Sequence, residues 1–256
     1  MNPIHQANQK RWEASAANWA KAADSRGIWK ACVNDPSLVF SERVLHYLKG
    51  IKGEKVAVLG SGDNQAVFAL AGMGAAVTSV DISANQLKYA ADRAEALGQS
   101  IQFIQSDVTN LSALADEQFD LVYTGGHVAV WVADLQKYYA EASRILRPGG
   151  LFIVDEYHPF RRVWKSSKNE LVVGYPYFER GPFRFMYNDD VLYHQEGNLE
   201  SYEHHWSVSD FFNAIIKSGC SIVEVDEYGT SSEDWEEAPM EGLPEILLIV
   251  GRKTAS

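Results

Sequence analysis

The chain has 256 residues, is 46% apolar and carries a formal net charge of −11. That is enough apolar material for a sizeable core, and the wrong sign of charge for a phosphate backbone, so no nucleic-acid partner is expected. Cys32 and Cys220 lie far apart and suggest neither a disulfide framework nor a metal site. Residues 1–6 lack the apolar core of a signal peptide, and the longest strongly apolar run, residues 246–250, is too short to span a bilayer; the expected setting is the reducing cytoplasm, without membrane contact.

Residues 3–24 place Trp12, Ala16, Trp19 and Ala20 at helical spacing. This predicts a helix that either packs its tryptophans on the core or caps a ligand site. Residues 25–37 read as a loop with a short helix around Trp29, and Phe40, Val44, Leu45 and Leu48 mark a helix ending at Gly50. Residues 55–59 form a short apolar run that breaks at Gly60-Ser61-Gly62 and passes into a helical pattern from Gln65 to about Met73. This is the signature of a buried strand entering a tight turn, where glycine lets the backbone approach a ligand and the next helix points free N–H groups at it. A second strand, 75–81, ends in Asp81, about 20 residues on, where a carboxylate can accept both hydroxyls of a ribose.

Ser83 and Gln86 form a capping-box pattern for the helix that follows, whose buried face is Leu87, Ala90, Ala91 and Ala94 and whose stop is Gly98. Strand 101–105 runs into a loop at Asp107, Val108, Thr109 and Asn110, and a short helix is expected through Ala115. Strand 119–123 leads to Thr124, Gly125, Gly126 and His127. Leu135, Tyr138, Tyr139, Ala142, Ile145 and Leu146 are the inward set of a longer helix, and strand 151–154 opens into Asp155, Glu156, Tyr157 and His158. Such alternation implies a doubly wound, mostly parallel α/β sheet with right-handed crossovers.

Residues 157–203 break the rhythm and hold aromatic residues at about twice the chain's 12%. Two strands are expected around a turn at Arg180-Gly181-Pro182. Lying over the carboxyl edge of the sheet, this insertion is either a lid for a small-molecule substrate or a homodimer interface or satellite core. Ser207 and Asp210 start a helix with Phe211, Phe212, Ile215 and Ile216 inward and Gly219 as its stop. Residues 220–225 form a strand, 231–242 an acidic solvated loop, and 243–250 the last strand.

Residues 54–155 resemble the core of a class I S-adenosylmethionine-dependent methyltransferase, on Gly60-Ser61-Gly62, Asp81, Asp107 and Leu146-Arg147-Pro148-Gly149-Gly150. Two positions depart from that family. Val58 stands where an acid precedes the first glycine, with Asp63 a partial substitute, and Asn64 stands at the third-glycine position, where asparagine tolerates left-handed backbone. The resemblance implies a seven-stranded sheet whose last strand inserts antiparallel, within one methyltransferase-like domain over 1–256. Its parts are a helical cap (1–50), a cofactor-binding core (54–156), the insertion (157–203) and the end of the sheet (204–256).

It also implies S-adenosylmethionine as cofactor and transfer of its methyl to a small or medium-sized, partly aromatic or apolar acceptor. Gly60, Ser61, Gly62, Asp63 and Asn64 would approach its amino-acid and ribose portion, and Asp81 its ribose hydroxyls. Ile82 would pack under adenine, Asp107 and Val108 would bond it, and Thr124 would lie near the methyl. An acceptor hydroxyl needs a base, and His127 and His158 are the candidates, with the pair His204 and His205 a further source of imidazole. Trp131, Tyr157 and Trp164 are candidate acceptor walls. The alternatives are a non-catalytic binding protein of this fold and an NAD(P)-dependent oxidoreductase, whose fingerprint wants Gly or Ala where Gln65 stands.

Overall fold

Strands that are apolar on both faces need cover on both sides, and the computed structural model, which describes residues 1–188, 197–230 and 238–255, supplies it. The chain opens with α1 (Pro3–Arg26), whose N-cap Asn2 accepts the Ile4 amide and whose end is turned by Gly27 at φ 67°. Two short helices, α2 (Ile28–Ala31) and α3 (Glu42–Tyr47), follow. The alternating half is β1 (Lys55–Leu59), α4 (Gln65–Gly72), β2 (Ala76–Asp81), α5 (Ala84–Ala96), β3 (Gln102–Gln105), β4 (Phe119–Gly126), α6 (Leu135–Ile145) and β5 (Leu146–Tyr157). Two small antiparallel pairs come next, β6 (Trp164–Lys165) with β7 (Val172–Val173) and β8 (Phe183–Tyr187) with β9 (Leu199–Glu203). Then α7 (Val208–Lys217), β10 (Cys220–Thr230) and β11 (Pro244–Lys253) complete the sheet.

The seven-stranded sheet has the order β10-β11-β5-β4-β1-β2-β3. The strands β3, β2, β1, β4 and β5 are mutually parallel, and β11 lies antiparallel between β5 and β10, as the resemblance implied. Side chains alternate across a strand, so β1 feeds two cores. Val56 and Val58 face Val67 and Leu70 of α4 and Ala90 of α5. Ala57 and Leu59 face Tyr138, Tyr139 and Ile145 of α6 and Phe211 and Ile215 of α7. This two-sided burial fixes the carboxyl edge of the parallel strands as the place where loops converge.

Several segments differ from expectation. Residues 107–110 form the expected loop, but 111–115 form turns rather than a helix, because α6 satisfies their backbone from outside: Arg144 donates to the carbonyls of Leu111 and Leu114 (2.9 and 3.1 Å), and Glu141 accepts the Leu111 amide (2.7 Å). No hairpin forms about residues 180–182. Pro182 has no N–H for a ladder, β8 takes β9 as its partner, and Arg180 is bound instead to Ser207 and Asp210 at the start of α7. Residues 147–150 sit within β5 as a bulge, where the register against β4 shifts between Phe119 and Leu121. Phe40 lies outside α3 but is buried. Ile216 is 56% exposed, since Phe211, Ala214 and Ile215 occupy the inner face of α7. In the acidic stretch, Ala238 and Met240 are buried rather than solvated, and residues 231–237 lie outside the described residues. Among the described residues no helix is long and apolar enough to cross a membrane, and no group of His, Cys, Asp and Glu could hold a metal ion.

Candidate active site

The turn after β1 makes the floor of a cavity of about 390 Å³ at the carboxyl edge of the sheet. Gly60 (φ 63°) and Gly62 (φ 48°) are both in the left-handed region. A Cβ on Gly60 would also lie 2.3 Å from Val128 Cγ1, so this position needs glycine twice over. The Ser61 hydroxyl turns down into the sheet to Ser79 (2.7 Å), leaving only backbone facing the cavity there. Asn64 is not left-handed: at φ −63° it caps α4, its side chain accepting the Ala66 amide (2.9 Å). The missing third glycine is thus replaced by an N-cap. Val58 is buried in the core, and Asp63 is ion-paired with Arg93 of α5, which also donates to Ala20 and Asp24 of α1 (2.8 and 3.0 Å).

Two carboxylates stand beside this floor. Asp81 Oδ2 accepts the Gly62 amide (2.7 Å) and Oδ1 the Ser83 amide (2.8 Å), which ties β2 to the glycine turn. Burial pushes Asp81 up to about 6, against the pull of those two hydrogen bonds. Ser83 caps α5 by accepting the Gln86 amide (3.2 Å), but the Gln86 Oε1 that would complete the box has no partner and lines the cavity. Asp107 is also buried; burial raises it, yet hydrogen bonds from His5 and Thr109 outweigh that and hold it below the usual carboxylate range. Ile82 and Val108 complete this end of the lining.

The roof is α1. Ala133 N–H donates to His5 Nε2 (2.9 Å), so Nδ1 carries the ring proton and donates to Asp107 Oδ2 (2.7 Å). Asn8 bonds both the N–H and the C=O of Tyr202 in β9 (2.8 and 2.9 Å) and the Trp131 carbonyl (3.0 Å). Glu13 accepts the amides of Ala84 and Asn85 (2.7 and 2.9 Å) and so caps α5 from outside. Trp12 and Trp19 line the cavity while Ala16 and Ala20 go to the interior, so the helix serves core and cavity together. The indole N–H groups of Trp19 and Trp131 are buried and have no hydrogen-bond acceptor among the described residues.

At the far end, beyond β4, Gly125, Gly126, His127, Val128, Trp131 and Tyr157 line the cavity. His127 meets Trp131 and Tyr157 edge-on, with ring centres 5.6 and 5.4 Å away, and its Nδ1 lies 3.5 Å from Nη2 of Arg162. The loop is anchored by Glu156, whose carboxylate accepts the Val128 and Ala129 amides (3.1 Å each) and which burial pushes up to about 7.

Three expected positions lie elsewhere. Thr124 is fully buried below the cavity and accepts from the Tyr138 hydroxyl (2.6 Å), because strand β4 runs on to Gly126 and turns that side chain into the sheet. His158 does not line the cavity. Its Nδ1 accepts the Phe160 amide (3.2 Å), so Nε2 carries the proton and donates to Glu227 (2.7 Å); burial lowers its pKa, against the pull of Glu227. Trp164 belongs to β6, paired with Val173, away from the lining. Unforeseen lining residues are His5, Asn8, Gln86, Val128 and Val132. Of these only the unmatched box residue Gln86 had a local signal; the others come from contacts remote in sequence.

The lining suits a nucleoside joined to an amino acid: a glycine turn, two carboxylates, an apolar shelf at Ile82 and Val108, and buried donors and an acceptor without partners. Its size is in the range of small-ligand sites. Residues 57–154 match a family model described as a methyltransferase domain. A ubiquinone biosynthesis O-methyltransferase of Actinobacillus pleuropneumoniae is 30% identical over 159 residues, covering 59% of this chain and 64% of that one. A demethylmenaquinone methyltransferase of Tropheryma whipplei is 34% identical over 113 residues, 43% of this chain and 45% of that one. The chain therefore spans less than two thirds of these curated relatives. In fold, an S-adenosylmethionine-dependent methyltransferase from Mesorhizobium loti superposes with a TM-score of 0.64 at 24% identity, over 82% of this chain and 96% of that one.

Proposed function

We propose that the chain, whose residues 57–154 match a methyltransferase-domain model and whose fold is that of S-adenosylmethionine-dependent methyltransferases, transfers the cofactor's methyl group to a hydroxyl of a small or medium-sized aromatic acceptor. The observation that carries this is one continuous cavity, with Asp81, Asp107 and the glycine turn at one end and His127, Trp131 and Tyr157 at the other. S-adenosylmethionine supplies a methyl already activated on sulfonium. Asp81 would accept the ribose hydroxyls, the backbone of Gly60–Gly62 would hold the amino-acid portion, and Asp107 with the Val108 N–H would bind the adenine. Trp131 and Tyr157 hold the acceptor ring, and α1 excludes water, so that the chain's main work is alignment. Two relatives named for ubiquinone biosynthesis and for demethylmenaquinone support a phenol- or quinol-like acceptor.

Calorimetric titration with S-adenosylhomocysteine, with NAD(H) as the control ligand, tests the reading. Binding of the former alone is expected, followed by labelling of simple phenols or quinols from methyl-labelled cofactor. Binding of NAD(H) alone, or of neither ligand, overturns it.

A further inference from the structure

Behind the acceptor end of the cavity stand two arginines, Arg162 and Arg11, with the carboxylates Glu203 and Glu156. Arg162 donates to Glu203 (3.1 Å) and reaches His127 Nδ1 (3.5 Å). Behind the cavity wall, the guanidinium carbon of Arg11 lies 4.2 Å from the ring centre of Trp12 and 4.9 Å from those of Trp131 and Tyr187. Arg11 is 6% exposed, and its buried Nη1 has no hydrogen-bond acceptor among the described residues. Both guanidiniums act on one buried carboxylate, Glu203, which also lies 3.4 Å from His205. A side chamber of about 30 Å³, walled in part by Arg162, Glu156, His204 and His205, shares His127 and Tyr157 with the main cavity. That is room for roughly one water or one oxygen substituent of a ligand.

His127 and His158, the expected bases, serve this end poorly. A guanidinium only donates, so the contact with Arg162 turns the Nδ1 lone pair of His127 toward a fixed positive charge. Both nitrogens of His158 are engaged in hydrogen bonds outside the lining, and Glu156 is held by two backbone amides. A guanidinium beside the acceptor end, which only donates, favours an oxyanion there.

We propose that the acceptor hydroxyl reacts as a phenolate received by Arg162, with Arg11 as a second cation behind the tryptophan wall; this rests on the methyl-transfer reading above. The phenol proton leaves to solvent before the methyl moves. The oxygen lone pair then forms the new carbon–oxygen bond as the sulfur–carbon bond breaks and its electron pair returns to sulfur. The negative charge on oxygen and the positive charge on sulfur disappear together. Arg162 is the catalytic residue of this scheme, Glu203 orients it, and His127 is part of the wall.

The test uses 4-nitrophenol as probe, with protein saturated in S-adenosylhomocysteine and at a pH below the probe's own pKa. Its phenolate and phenol absorb at different wavelengths, so the ionised fraction is read without turnover. Binding is expected to bring out the phenolate band, and 4-nitroanisole, which has no proton to lose, to bind about tenfold more weakly or worse. Arg162→Gln leaves Glu203 buried and unpaired, so the double variant Arg162→Gln with Glu203→Gln is the cleaner comparison. It is expected to retain S-adenosylhomocysteine binding and lose the phenolate band, while Arg162→Lys keeps part of it. The proposal is overturned if the probe binds in its neutral form, if nitroanisole binds equally well, if the probe does not bind, or if the double variant keeps the band. Loss of S-adenosylhomocysteine binding by the unaltered protein would instead count against the methyl-transfer reading.

Discussion

Asp81 is one side chain with two tasks. Its oxygens accept the Gly62 and Ser83 amides, holding the glycine turn against the start of α5, and the same carboxylate faces the cavity. Burial places its pKa at about 6 against an ordinary 3.8. A carboxyl raised in this way opposes folding once it ionises, so its unfavourable contribution is absent below the ordinary value and complete only above the raised one. For the ligand the sign is reversed: a ribose donates to the ionised form, so S-adenosylhomocysteine affinity should fall as pH drops through 6. Titration calorimetry between pH 5 and pH 8 reads this, and Asp81→Asn, which keeps the shape and loses the charge, should weaken binding by about 1–3 kcal/mol and flatten the profile. A pH-independent affinity would remove Asp81 from the ribose site. His158 makes the opposite case. It is 1% exposed with both ring nitrogens bonded, so His158→Ala should cost roughly 1–3 kcal/mol in urea denaturation while leaving S-adenosylhomocysteine affinity unchanged.

At the scale of elements, α1 is a roof fastened at separate points along its length. His5 reaches the loop after β3, Asn8 reaches β9 and the Trp131 carbonyl, Glu13 caps α5, and the Ala20 carbonyl receives Arg93. The His5, Asn8 and Ala20 fastenings each satisfy a backbone or carboxylate group at a buried or half-buried seam, while Glu13 caps α5 at its exposed start. Asn8 alone makes three such bonds, two of them to Tyr202 in the insertion, so the roof and the aromatic insertion are coupled. Asn8→Ala should therefore speed amide hydrogen exchange in α1 and β9 while leaving β1, β4 and β5 as protected as before, and should raise the dissociation rate of S-adenosylhomocysteine in stopped-flow measurement. Uniform loosening of the whole chain would contradict a roof that opens as a unit.

At the scale of the molecule, the cavity draws its walls from both ends of the parallel sheet, the roof helix and the loop anchored on Glu156. A ligand that bridges these parts binds only the folded chain. At a hundredfold excess over its dissociation constant, S-adenosylhomocysteine should add about 2.7 kcal/mol of stability. For a chain of this size that corresponds to a melting temperature higher by roughly 5–10 °C. Differential scanning fluorimetry measures the shift, and Asp81→Asn should shrink it in proportion to its loss of affinity.

What the sequence determined by itself was the part governed by local periodicity and turn chemistry. The apolar run 55–59, the glycines at 60 and 62, the acids at 81 and 107 and the amphipathic pattern of 135–145 each report on neighbours a few residues away. They sufficed for a mostly parallel sheet and one half of the cavity, while the antiparallel place of β11 came from the family resemblance. Only the tertiary structure decided what depends on contacts between distant segments. Asn64 became a helix cap because α4 begins there, and Thr124 turned inward because β4 extends past it. Residues 111–115 lost their expected helix to hydrogen bonds from α6, and β8 found its partner in β9 rather than across Pro182. The partners of His5, Arg11 and Arg162 lie as far off as Asp107, Tyr187 and Glu203, and no periodicity spans such distances. A side chain's chemistry is written at its own position, but whether it becomes a base, a latch or a buried cation depends on the charges that folding brings beside it.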